Sequence, residues 1–240
     1  QYQKLKNLMN LYYFKNIYKY IKMTLQGKLN IAVLIYGRLK KANDSFSHIK
    51  NSLKKYNNID FFLSTDNANS NEIEQFIKKY NPKVFDNTLK NINYESKKLV
   101  GYQKRPETNI NNMLKHFLNK LTVFNIFENY YLKNNIKYDV VLAIRCDIFD
   151  ISEFNFDNII DNNIYVPIIH NYYNMNDQIA YGNITVMKQY MTIYNYLDDL
   201  VIHKKCIIHP ETLTLYNLLL NSIKINKINL TYTLYSDRKY

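Results

Sequence analysis

Arg145 and Asp147 stand two residues apart at the end of the run Val140-Val141-Leu142-Ala143-Ile144. The run is short, apolar and rich in β-branched residues, the composition of a strand buried on both faces. In an extended chain, residues i and i+2 project to the same side. The strand therefore delivers a guanidinium and a carboxylate together to whatever lies beyond its tip. In open α/β sheets that is where ligands bind. Such a pair suits the reading of a nucleotide diphosphate and its metal ion. The alternative is an ion pair that merely finishes a strand, and spacing alone leaves the two open.

Several familiar catalytic signatures are missing. No GxGxxG follows the first apolar run, which argues against a dinucleotide-dependent dehydrogenase, and no GxxxxGK[ST] occurs, which excludes a P-loop enzyme. Neither HExxH nor GxSxG is found. Cys146 and Cys206 supply no disulfide framework and no CxxC pair, so free thiols in a reducing compartment, the cytoplasm, are expected. His48, His116, His170 and His203 follow no ligand spacing and read as structural.

The net charge of +12 points at first toward nucleic acid. Its distribution argues otherwise. Residues 1–58 hold twelve Lys/Arg against the single acid Asp44, whereas the remaining residues hold twenty against nineteen. A basic N-terminal region follows, but not a basic face over the whole molecule, and no nucleic-acid partner is expected. The abundant Asn, Ile, Lys and Tyr have AT-rich codons, so part of the lysine content reads as genomic drift. Lysine interrupts every apolar run short of bilayer-spanning length, and no secretory h-region opens the chain, so a soluble protein is expected. Because the chain begins at Gln1, an upstream segment is expected to be missing. Only four glycines occur, which gives Gly37 and Gly182 weight.

The elements that must position Arg145 and Asp147 are read in chain order. Residues 1–28 form a basic helix or linker, stopped at Gly27. Residues 29–240 make one domain. Asn30 to Tyr36 is a buried strand, followed by Gly37-Arg38. A helix starts near Asp44, a suitable N-cap. Asp60 to Thr65 is a strand, Ser70 caps a helix that Pro82 stops, and Lys83 to Asp86 is a short strand. This β-α-β-α-β order with short connections implies a parallel sheet with right-handed crossovers. Residues 87–106 lack periodicity and are expected to form a mobile lid. A long helix runs from Pro106 to about Lys133, with Ile110, Met113, Leu114, Phe117, Leu121 and Phe124 as its apolar stripe. After the Val140 strand, Ile164 to Ile169 is a strand that Pro167 marks as an edge or bend. A helix is expected from Thr185 to Val201, and another from Pro210, since Pro is preorganised for a first helical position. The tail INLTYTLYS is expected to add a strand.

The ordered set YDVVLAIRCD (138–147), NDQIAYG (176–182) and HPE (209–211), preceded by strands ending in Gly37-Arg38 and Ser64-Thr65-Asp66, resembles glycosyltransferase-like proteins of giant DNA viruses and some protists. The resemblance spans about residues 30–220. It implies a GT-A-like, Rossmann-type α/β fold with a mostly parallel sheet flanked by helices. It places Arg145-Cys146-Asp147 where GT-A enzymes carry a DxD motif. It thereby makes Asp147 a ligand of Mn or Mg, metals suited to a hard oxygen-rich site. Arg145 replaces the first Asp of that motif, and its fork of donors suits a phosphate. His209 matches a late histidine that completes the metal or diphosphate site. Asp177 falls in the segment matching an acidic helix that supplies the base, with Asn176 and Gln178 as sugar-hydroxyl contacts. Gly37 and Arg38 match the first-strand loop that holds the nucleotide. Thr65 and Asp66 are expected at base or ribose, and Lys120 at a phosphate. Gly182 allows close backbone approach to donor or acceptor, or simply opens a helix. Glu211 reads as structural, stabilised in a first helical turn.

The implied activity is transfer of a sugar from a nucleotide-diphosphate sugar, with uridine diphosphate (UDP) as the expected carrier, to a glycan or protein hydroxyl. A viral origin would put it in host cytoplasm or a virus factory. Two other readings stay open. One is a non-catalytic nucleotide- or glycan-binding module of a larger glycan-assembly protein. The other is a metal-dependent phosphohydrolase or nuclease using Asp147, Asp150 and Glu153.

Overall fold

A computed structural model describes residues 29–235, except 38, 40, 41, 66–69, 93 and 171–174. The expected basic helix over 1–28, and the site candidates Arg38 and Asp66, lie outside the described residues.

Seven strands form one sheet in the order β3-β2-β1-β4-β7-β6-β8. Its first half is the expected alternation. It comprises β1 (Asn30–Tyr36), α1 (Ala42–Ser52), β2 (Asn58–Ser64), α2 (Ser70–Tyr80) and β3 (Val84–Asp86). Both β2 and β4 (Val140–Arg145) run parallel to β1, in a register that sets Tyr36 beside Ser64 on one side and Arg145 on the other. The strand tips thus end together, and Gly37, Thr65 and Asp147 follow at one edge of the sheet.

Period-two alternation explains why these strands are apolar throughout. Ile31, Val33 and Ile35 of β1, with Val140, Leu142 and Ile144 of β4, pack under α1 and α2 against Ile49, Leu53, Phe76 and Tyr80. The intervening Ala32, Leu34, Val141 and Ala143 face the opposite layer. That layer is α3 (Ile110–Asn134) and α4 (Ile184–Met191), through Val123, Phe124, Phe127, Met187 and Tyr190. Each such fully buried side chain contributes on the order of 1.5–3 kcal/mol.

The second half departs from expectation. Residues 179–182, in the segment matched to an acidic helix, are not helical. They form β7 (Ile179–Gly182), buried throughout and inserted antiparallel between β4 and β6 (Asn163–Pro167). Four residues with one alternation are too few to show a period, so the strand was invisible. β8 (Lys224–Ile228) runs parallel to β6 and forms the sheet edge. The Pro167 strand is therefore interior. Its proline is tolerated as the last residue, beyond the one pair, Tyr165 with Tyr181, that joins β6 to β7.

The helix expected over 185–201 breaks after Met191. The hydroxyl of Thr192 donates to the Lys188 carbonyl at 2.7 Å, and the backbone continues as a 3₁₀ turn (193–196) and a π turn (198–203). The segment 87–106, expected as a lid, is anchored at a few described positions. Lys90 is buried and donates to the carbonyls of Thr65 and Thr88, besides pairing with Asp86. The Tyr94 hydroxyl donates to Asp198 at 2.6 Å, and Leu99 joins a third apolar cluster with Met113, Phe117 and Leu200.

Finally, β9 (Thr233–Leu234) pairs with the two-residue strand β5 (Ile148–Phe149), so the tail adds one short strand as expected. That pairing carries Tyr235 to Asp147, whose carbonyl accepts from the Tyr235 amide at 3.0 Å.

Candidate functional site

A cavity of about 540 Å³ opens at the shared strand tips. Gly37, Arg145, Asp147, Asp177 and His209 all line it. Three elements explain this convergence. The β1–β4 register sets Gly37 next to Arg145. Because β7 runs antiparallel to β4, its first residues, not its last, meet the end of β4. The Arg145 amide donates to the Gln178 carbonyl at 3.1 Å, so Asp177 reaches the same tip. The third element, α5 (Pro210–Leu220), begins at the wall with His209 in its N-cap position and Pro210 in its first turn.

Arg145 and Asp147 form a two-point ion pair. Nε lies 2.9 Å from Oδ1 and Nη2 lies 2.6 Å from Oδ2. Charge-assisted bidentate contacts of this kind fix orientation as well as adding energy. Burial works against the guanidinium charge, but Asp147 outweighs it by charge and hydrogen bond, and Arg145 is held above its usual value.

Asp177 is nearly buried. Its carbonyl accepts from the Tyr36 hydroxyl at 2.8 Å, and its carboxylate Oδ2 lies 3.2 Å from Nε2 of His116. His116 projects from α3, the helix that Asn109 caps by accepting from the Asn112 amide. Burial depresses the His116 imidazole to about 4 despite the opposing pull of Asp177, so it is neutral near pH 7. The Tyr36 ring meets it edge-on, with centroids 5.6 Å apart.

His209 stands between carboxylates: Nδ1 is 3.0 Å from Glu211 Oε2, and Nε2 is 3.7 Å from Glu107 Oε1. Burial lowers its pKa. Burial, and then the Asp177 charge, raise Glu211 to about 8, so this carboxyl keeps its proton at neutral pH. Glu211 therefore belongs to the cavity wall rather than being only a helix-end residue.

Four expected contacts stand elsewhere. Asn176 is fully buried with its amide committed. Oδ1 accepts from the Gln178 and Ile179 amides, both at 2.9 Å, and Nδ2 donates to the Ile169 carbonyl at 3.0 Å and the Tyr232 hydroxyl at 2.7 Å. It braces the turn that aims Asp177 and has no reach to a sugar. The Gln178 side chain accepts from Tyr232 at 2.7 Å and is off the cavity wall. Thr65 is buried beneath Lys90. Lys120 lies behind the wall, one helical turn from His116, with Nζ 3.4 Å from the centre of the Tyr190 ring. Burial lowers its amine to about 7, against Asp177 and Glu211.

Gly182 lies at the far end of β7. There a Cβ would come within 3.1 Å of the Asn163 carbonyl oxygen, so its smallness serves packing, not donor approach. The hydrolase alternative needs Asp150 and Glu153 beside Asp147. Instead Asp150 accepts from Thr233, and Glu153 pairs with Lys54 at the surface.

Sequence reasoning missed His116, Tyr36 and Glu211 as wall residues. A signal for the first existed: Asn112, His116 and Lys120 recur every four residues as a polar ridge beside the apolar stripe of α3.

Residues 28–240 match the family model described as a domain of unknown function, DUF7796, and the chain belongs to that family. No curated protein matches it in sequence. Among solved structures it is similar to apo-form glycosyltransferase GlyE of Streptococcus pneumoniae TIGR4, at 13% identity and TM-score 0.46 over 83% of this chain and 45% of that one. The chain thus spans less than half the length of GlyE. It is also similar to mouse xyloside xylosyltransferase 1 (11%, TM-score 0.45, 83% and 84% covered). A third is a glycosyltransferase involved in glycosylation of the major capsid of PBCV-1 (10%, TM-score 0.40, 83% and 82% covered). Among the described residues no helix is long and apolar enough to cross a membrane.

The expected Mn or Mg would rest on Asp147 and His209. Both Asp147 oxygens already face Arg145 nitrogens, and His209 faces two other carboxyls. Among the described residues no three His, Cys, Asp or Glu stand together as a metal-holding set. As arranged, these side chains do not fit a protein-held divalent ion.

Proposed function

We propose that the protein transfers a sugar from a nucleotide-diphosphate sugar, with UDP as the expected carrier, to an acceptor hydroxyl. The observation that carries this reading is that Arg145 and Asp177, from neighbouring strands of opposite direction, line one cavity beside Gly37. The ordered sequence motifs support it as well.

In the proposed reaction the acceptor oxygen bonds to the anomeric carbon as the bond from that carbon to the diphosphate breaks. Negative charge grows on the departing diphosphate, where the Arg145 guanidinium stabilises it. The acceptor proton passes to the Asp177 carboxylate. Neutral His116 beside Asp177 adds no further cation to hold that carboxylate. The base role of Asp177 belongs to a reaction that inverts the sugar, with attack from the face opposite the leaving group.

The test is release of free nucleotide diphosphate from a panel of nucleotide sugars, with simple glycosides as acceptors. Asp177→Asn is expected to lower turnover by about 10²–10⁴-fold while leaving donor binding in place. Failure of every nucleotide diphosphate and sugar to raise the melting temperature overturns the reading. Donor binding without turnover in the native chain returns it to a binding module.

A further inference from the structure

Asp147 grips Arg145 along one edge. The Nε and Nη2 contacts engage two of the five guanidinium N–H groups. The other three, two of them on Nη1, meet no hydrogen-bond acceptor among the described residues, and the Arg145 side chain is 31% exposed on the cavity wall. A divalent ion at Asp147 would have to displace a guanidinium held through two charge-assisted contacts. An anion at the open edge displaces nothing. It would also find Lys115 on the same wall, and Gly37 beside Arg145, whose lack of a Cβ permits its φ of 112° and leaves the backbone there open.

We propose that Asp147 is a buttress for Arg145 rather than a metal ligand, and that the open guanidinium edge binds a diphosphate oxygen of the ligand with no divalent ion between them. This rests on the nucleotide-sugar reading above and deepens it. Asp147 then acts as a positioning residue, with Arg145 as the group that touches the ligand. The divergence from a DxD arrangement becomes functional: the position that lost a carboxylate carries the cation instead.

The test is calorimetric titration of UDP into the full chain, once in EDTA and once in excess Mn²⁺. Equal affinity within about threefold is expected, a difference below ~0.7 kcal/mol. Arg145→Ala should weaken UDP by about 10–100-fold in both buffers, as expected for loss of hydrogen bonds to a charged group. Asp147→Asn keeps the shape and should weaken it by a smaller factor, again equally in both. A tenfold or larger gain from Mn²⁺ that Asp147→Asn abolishes overturns the buttress role and leaves nucleotide binding standing. No UDP binding in either buffer removes UDP as the carrier, and this inference with it. The two buffer arms on the native chain decide the matter even where a variant fails to fold.

Discussion

Nε2 of His116 approaches Oδ2 of Asp177 to 3.2 Å from the opposite wall of the cavity, an imidazole on a helix meeting a carboxylate at a strand entry. Neither residue is near the other in sequence. The contact couples the α3 layer to the sheet edge, and its electrostatics have consequences measurable without any substrate.

The first is acid sensitivity. Folded His116 titrates near 4, below the usual value of 6.5. Between those values the unfolded chain binds a proton that the folded chain refuses. Stability should therefore be fully present above about pH 6.5 and fall as pH drops toward 4, by roughly 3 kcal/mol at most. His116→Gln should flatten that part of the curve, as read by urea denaturation at pH 7 and pH 4.5.

Glu211 carries the opposite sign. Its folded carboxyl holds its proton up to about 8, against 4.5 when unfolded. Stability from this group is present below 4.5 and is lost as pH rises toward 8. Glu211→Gln supplies a permanently neutral group of the same shape. It should match the native chain near pH 4 and exceed it by roughly 2–4 kcal/mol at pH 8. Melting temperatures at the two pH values check this.

Asn176→Ala should be costly. It leaves the Gln178 and Ile179 amides without their acceptor in a buried setting and removes the Asn176 donor to the Tyr232 hydroxyl. A loss of about 3–4 kcal/mol is expected. Asp177 would lose its aim as well, so turnover should fall further than donor affinity.

Much of this was readable from the chain and some was not, for a physical reason. β1 and β4 are continuous apolar runs buried on both faces, so composition alone marks them, and their charged ends mark the tip. Arg145 and Asp147 share the cavity as spacing suggests, and they also form the ion pair that the same spacing left open. The arrival of Asp177 depends on a four-residue strand pairing across long sequence separation, and no local period encodes that. His116 was hidden because a polar residue beside an apolar helical stripe reads as solvent-facing until another element covers it. Asn176 misled because an amide able to meet a sugar is equally able to hold a turn, and only burial tells them apart.

β7 carries a mechanical vulnerability. It is held to β4 over only four residue pairs and to β6 by one. A slip of a single position would turn every β7 side chain to the other face of the sheet. The carboxylate would leave the chamber, and the buried packing of Ile179, Ala180 and Tyr181 would be lost with it. Lesions at Ile179 and Ala180, both fully buried, should thus cost stability and activity together, and a thermal scan should register them.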